Sequence, residues 1–134
     1  MLNKKINKMD KIIIKTDKAP APIGPYNQAI KAGNMLFVSG QIALDPATAE
    51  LRIDNIEQET NQVMNNISSI LTEAGAGFEH IVKTTIFLSD MSLFAEVNEI
   101  YGKYFSGDYP ARETVAVKGL PKNVHVEISV TAIL

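Results

Sequence analysis

Two side chains near the C-terminal end of the chain have the types that small-anion chemistry needs. Arg112 and Glu127 both lie in the stretch from Tyr109 to Ile128, YPARETVAVKGLPKNVHVEI. A guanidinium is planar and always charged, and its fork of N–H donors pairs with a carboxylate through two bonds at once, which a lysine cannot do. A carboxylate within hydrogen-bond reach of a water can orient that water and take its proton. One short stretch thus carries a guanidinium and a carboxylate.

The elements that must position them read as two strands. Arg112 to Val117 is a β-branched alternating run, Gly119 and Pro121 mark a connection, and Val124 to Ile133 alternates again. If these strands are antiparallel neighbours closed by residues 118–123, Val117 lies near Val124, Thr114 falls opposite Glu127, and Arg112 falls opposite Ser129. One polar face would then carry Arg112, Thr114, Glu127 and Ser129. An ordinary cross-strand ion pair on a wet sheet face would use the same residues.

Upstream, Ile12 to Ile14 reads as a short strand followed by a loop with three prolines, Pro20, Pro22 and Pro25. That loop is stiff, and Tyr26 stands at its exit, either to enter a site or to pack its ring on the domain edge. Ala29 to Ala32, Gly33-Asn34 and Met35 to Gln41 form a predicted tight hairpin, with Gly33 and Asn34 supplying positive φ angles. Leu36 and Val38 share one face, and Phe37 and Ser39 the other. Asp45 to Ala49 is the next turn.

Ile56, Val63, Met64, Ile67, Ile70, Leu71 and Ala74 fall on one face of a helix expected over 55–74, with Asp54 and Glu57 as a capping box and Gly75 and Gly77 ending it. His80 to Leu88 follows as a central strand. A second helix is expected from Ser92 to Phe105 with Phe94, Val97, Tyr101, Tyr104 and Phe105 inward, capped by Asp90 or Ser92, and with Asn98 bordering the buried stripe. The order of elements gives an α+β class: a mixed sheet with two helices packed on one face.

Composition narrows the rest. Apolar residues make up 46% and charged ones 21%, so the chain can bury a core and nothing invites disorder. No cysteine is present, which excludes disulfides, thiolate catalysis and Cys-based zinc sites, and fits a reducing compartment. A net charge of −2 argues against a broad nucleic-acid footprint. No stretch has membrane length, and the Lys-rich start lacks an apolar signal region. Residues 1–10 read as a flexible lead-in to a single domain over 11–134, with Met9 as a candidate start. Motifs for phosphate loops, zinc proteases, serine hydrolases and EF-hands are missing. His80 and His125 read as structural or exposed imidazoles rather than catalytic bases.

Pro110-Ala111-Arg112, the alternating strand, the short loop and Val126-Glu127-Ile128 resemble the signature of the Rid family (YjgF type, reactive intermediate deaminases). The resemblance extends over nearly the whole chain from about Lys11. It implies a chorismate-mutase-like fold, assembly as a homotrimer with sites between subunits, and cytoplasmic, cofactor-free, metal-free hydrolysis of enamine and imine acids such as 2-aminoacrylate and 2-iminobutanoate to 2-keto acids and ammonia. It implies Arg112, Glu127, Tyr26 and Ser39 as catalytic residues, and Arg112, Asn98, Thr114 and Gly40 as substrate-binding ones. Arg112 would hold the substrate carboxylate, Glu127 the water, Ser39 the amino nitrogen and Tyr26 the substrate or a water, with Asn98 fixing Arg112 or a neighbouring loop. The chain departs from the family pattern at Thr114, where many relatives carry Cys, at Glu113, where a small residue is usual, and at Ala49, where Gly is common. Thr114 would act through its backbone, and Glu113 would bear on substrate preference from the opposite strand face. A non-catalytic keto-acid-binding module shares the anchor but has no need of Glu127. An endoribonuclease or translation inhibitor fits poorly with the acidic balance and the absence of a histidine pair.

Overall fold

The computed structural model describes residues 10–134. The lead-in expected over residues 1–10 lies, except for Asp10, outside the described residues. The elements run β1 (Lys11–Ile14), β2 (Ala29–Ala32), β3 (Met35–Gln41), α1 (Ile56–Glu73), β4 (Ile81–Leu88), α2 (Phe94–Gly102), β5 (Ala111–Ala116) and β6 (Val126–Ile133). The strands form a six-stranded mixed sheet in the order β1-β2-β3-β6-β4-β5, with both helices on one face. The α+β expectation holds.

β6 sits in the middle of the sheet because its alternation is the cleanest in the chain. Val126, Ile128, Val130 and Ala132 are buried, and each inward Ile or Val contributes roughly 1.5–3 kcal/mol. β6 pairs antiparallel with β3 on one side and with β4 on the other. α1 covers this face with Val63, Met64, Ile67, Ile70 and Leu71, all essentially inaccessible. Its N-cap is Asn55, whose side chain accepts from Gln58 N at 2.7 Å, not the expected Asp54; Gly75, at φ 79°, ends it. Of the hairpin pair Gly33-Asn34, only Gly33 takes a positive φ, at 62°.

The expected β5–β6 hairpin does not form. β5 pairs in parallel with β4 at the edge of the sheet, and β6 lies on the far side of β4. β4, α2 and β5 are therefore a strand–helix–strand unit, in which a helix carries the chain back so that the next strand can run parallel. Residues 117–125 cross from the edge into the sheet centre. Asp90 caps the short turn ahead of α2, accepting from Ser92 N at 2.8 Å.

One buried carboxylate ties the first turn of α1 to the start of β6. Glu59 is fully buried; its Oε2 accepts from His125 N at 2.7 Å and Val126 N at 3.0 Å, and its Oε1 lies 2.8 Å from His125 Nδ1. The sequence does not single out position 59, since a lone Glu gives no sign of a partner 66 residues away. His80 is likewise structural, its Nδ1 accepting from Gly77 N at 3.0 Å.

The Asp45–Ala49 turn carries a local strain. Ala49 has φ 63°, held by its N–H to Asp45 O at 2.8 Å, while Arg52 clamps the Asp45 carboxylate at 2.8 Å and holds it below its usual pKa. A Cβ in the left-handed region costs about 1–2 kcal/mol, partly offset by the greater unfolded-chain freedom of glycine. Ala49→Gly is therefore expected to raise unfolding free energy by a few tenths to about 1 kcal/mol. Urea denaturation would show this as a higher midpoint with an unchanged slope; a lower midpoint would count against the strain.

Candidate functional site

Alternation along the strands decides where Arg112 and Glu127 go. Arg112 is in register with Thr84 on β4, which is in register with Val130 on β6, so all three share the helix-covered face. Glu127 is in register with Phe87, and Phe87 with Val115, on the opposite and uncovered face. The single polar face carrying Arg112, Thr114, Glu127 and Ser129 is thus not formed. It required a direct β5–β6 pairing, and inserting β4 between them puts Arg112 and Thr114 on one side and Glu127 and Ser129 on the other.

Arg112 projects under α2. Its guanidinium carbon lies 5.2 Å from the Tyr101 ring centroid and 5.6 Å from that of Phe94, a cation–π arrangement worth roughly 0.5–2 kcal/mol. Tyr101 is itself fixed, its hydroxyl bonding Thr84 Oγ1 at 2.8 Å, and burial raises its phenol pKa. The rings hold Arg112 without spending its N–H donors. Among the described residues no carboxylate pairs with it. A charged fork left unpaired at the wall of a hollow has its donors available to an anion. That hollow, of about 740 Å³, is lined by Asn98, Tyr101, Tyr109, Pro110 and Arg112 among others. Asn98 is exposed on α2 and shares the hollow with Arg112, but the rings, not Asn98, are what fix the guanidinium. Thr114 shares the helix face two residues on, and its buried hydroxyl has no hydrogen-bond partner.

Tyr26, Ser39, Gly40 and Glu127 come together on the other face, around a hollow of about 360 Å³ whose remaining walls are Ile23, Ile42 and Pro121. Four sequence-predicted residues therefore meet here. Burial raises the Glu127 carboxyl pKa, and among the described residues no cation offsets that rise. The β3–β6 register shifts between Val38 and Gln41, which leaves Ser39 and Gly40 outside the regular pairing. A Cβ on Gly40 would stand 2.9 Å from the Glu127 carboxyl carbon, closer than real Cβ contacts come. Glycine at 40 thus makes room for the carboxylate. Gly40→Ala is expected to displace Glu127 and, in any reaction that uses this carboxylate, to cut turnover roughly 10- to 100-fold while leaving the melting temperature nearly unchanged. Steady-state rates and a thermal melt on the same sample check this.

The loop bearing Tyr26 is held by a residue that sequence reasoning passed over. Gln28 is buried, and its amide nitrogen donates to Thr16 O at 2.9 Å, Ala19 O at 3.2 Å and Pro20 O at 2.9 Å while its oxygen accepts from Thr16 N at 2.8 Å. The Tyr26 hydroxyl accepts from Ile23 N at 3.3 Å. Ser39 Oγ donates to Asn27 O at 2.6 Å, which pins the loop and leaves the oxygen free to accept. Glu113 lies on the uncovered face, as expected, bonded by Thr85 Oγ1 at 3.0 Å and Lys83 Nζ at 3.2 Å, with its pKa lowered by these contacts. The described residues contain no metal-binding group of His, Cys, Asp and Glu, and no helix long and apolar enough to cross a membrane.

The sequence and the fold have counterparts among known proteins. The endoribonuclease L-PSP family model matches residues 16–134. A RutC family protein of Synechocystis is 54% identical over 124 residues, 91% of this chain and 95% of that protein. The chloroplastic Reactive Intermediate Deaminase A of Arabidopsis thaliana is 47% identical over 124 residues, 92% of this chain and 66% of that protein. A Rid-family protein of unknown function from Yersinia pestis superposes with a TM-score of 0.90 at 46% identity, covering 92% of this chain and 99% of the other. The chain belongs to the Rid/YjgF family, which carries the endoribonuclease L-PSP domain. That family includes proteins named as reactive intermediate deaminases and others named as endoribonucleases.

Proposed function

We propose that this protein hydrolyses reactive imine and enamine acids, such as 2-iminobutanoate and 2-aminoacrylate, to 2-keto acids and ammonia, as one Rid-type domain over 11–134. The observation that carries the reading is the pair of complementary half-sites: an unpaired guanidinium on one sheet face and a part-buried carboxylate, with a hydroxyl on either side, on the other. Neither half suffices alone, so the site is proposed to form where Arg112 of one copy meets Glu127 of another. The uncovered sheet face supports such an assembly, since Ile13, Phe37 and Val115 there are 55%, 44% and 44% exposed. A homotrimer in the cytoplasm is the assembly and location that go with this reading.

In the reaction, Arg112 binds the substrate carboxylate through its two parallel N–H bonds. Glu127 orients a water against the imine carbon and accepts its proton as the C–O bond forms. That proton passes to the nitrogen to give the carbinolamine; Glu127 then takes the hydroxyl proton and delivers it to the amino nitrogen as the C=O bond forms and the C–N bond breaks, so that the 2-keto acid and ammonia leave. Ser39 Oγ, already donating to Asn27, accepts from the amino N–H, and the Tyr26 hydroxyl borders the water. No metal or organic cofactor is required, because imines hydrolyse in water and the site has only to favour the transition state. The test is keto-acid and ammonia release from 2-iminobutanoate generated in situ by a threonine dehydratase. Release faster than buffer is expected. Release equal to buffer, with keto acids still binding, would make this a non-catalytic ligand-binding member.

A further inference from the structure

Lys122 and Asn123 take left-handed backbone angles, φ 56° and 58°, although neither is glycine. Non-glycine residues stay in that region only where the surroundings hold them, and such residues gather at functional sites. The turn they form lies just ahead of the strand that delivers Glu127. Pro121 lines the Glu127 hollow, and Lys122 lines the recess that continues it, the two sharing Ile23, Tyr26, Gly40 and Ile42. Lys122 is the sole cation among the described residues lining these two spaces, and Glu127 the sole anion. No ion pair among the described residues engages Lys122.

A hollow whose one charge is a carboxylate repels a ligand carrying a second carboxylate on its side chain. An ammonium on a flexible four-carbon stem lining the adjoining recess offsets that repulsion, and Ile23 and Ile42 line both spaces with apolar surface. We propose that Lys122 is a specificity-determining residue: it gives the Glu127 hollow a second anion anchor, so that four- and five-carbon dicarboxylic imino and keto acids are taken alongside aliphatic ones. This rests on the deaminase reading of the same site.

Binding and turnover separate the two. Titration of 2-oxoglutarate and 2-oxobutanoate into wild type, Lys122→Gln and Lys122→Arg is the first arm. Lys122→Gln is expected to weaken 2-oxoglutarate about tenfold and 2-oxobutanoate less than about twofold, with Lys122→Arg restoring most of the loss and added salt eroding the wild-type preference. The second arm measures kcat/KM for the imines formed from aspartate and alanine by amino-acid oxidases, and the same selective loss is expected there. Equal losses for both ligand classes, or none for the dicarboxylic one, would overturn the role of Lys122. Turnover of neither imine would overturn the deaminase reading, and the binding ratio would then decide the role of Lys122 by itself.

Discussion

Arg112→Ala is expected to lower kcat/KM for 2-iminobutanoate by roughly 100- to 1,000-fold, the equivalent of about 3–4 kcal/mol of transition-state binding. The reasoning is that the guanidinium is the one cation in its hollow fixed by packing: Phe94 and Tyr101 hold it, and no carboxylate of the described residues neutralises it. Without it the substrate carboxylate loses its orientation as well as its counter-charge. The fold should survive, because the contribution at risk is a cation–π contact of about 1 kcal/mol. Arg112→Lys would keep the charge and lose the fork, and should fall between the two. Keto-acid and ammonia release beside a thermal melt separates the effects; a variant that keeps wild-type turnover would remove Arg112 from the chemistry.

Glu127→Gln should lower kcat by roughly 100- to 10,000-fold and leave keto-acid binding nearly intact, since the amide keeps the volume but cannot take a proton from water. The same change should stabilise the fold slightly at neutral pH. Burial holds the Glu127 pKa above its ordinary value, so between the unfolded and folded pKa values the native state binds more protons than the unfolded chain. Stability from this group is present at low pH and is lost as pH rises through that window. Activity runs the other way, because the ionised form is the working one: the rising limb of the kcat–pH profile should lie above the ordinary carboxylate range. Rate–pH profiles and melts of wild type and Glu127→Gln test both signs. A limb at the ordinary carboxylate pKa, or a less stable variant, would contradict the assignment of a part-buried working carboxylate.

Much of this fold was legible because its signals are local. The 3.6-residue stripe from Val63 to Leu71 and the two-residue alternation from Val126 to Ala132 each report a buried face without reference to the rest of the chain. Strand partners are not local. Gly119 and Pro121 read equally well as a hairpin loop or as a crossover, and the reading that kept Arg112 and Glu127 together was the wrong one. The composition of β5 held a better clue: Arg112, Glu113 and Thr114 suit an edge strand, whereas β4 has enough apolar positions to need a neighbour on each side. The helix between β4 and β5 also favours a parallel pair.

The site was legible in part for similar reasons. The types at Arg112 and Glu127 stated their chemistry, and the prolines ahead of Tyr26 announced a rigid loop. Glu59 and Gln28 did not show themselves, because a buried polar residue is identified by partners that only folding supplies, here His125 and the carbonyls of Thr16, Ala19 and Pro20. Gly40 lay between them: a glycine inside a strand pattern signals a bulge or a close approach, and here the strand register shifts and the approach is close.

The most direct test of a site shared between copies mixes two dead variants. Arg112→Ala and Glu127→Ala subunits, carrying different tags and co-expressed, are purified as the mixed assembly and assayed with 2-iminobutanoate. Each parent lacks one half-site, but a junction between an intact Arg112 and an intact Glu127 restores a whole one. In a homotrimer every mixed assembly holds one such junction out of three, which predicts a return to about one third of the wild-type rate. A mixed assembly no more active than its parents would contradict the account.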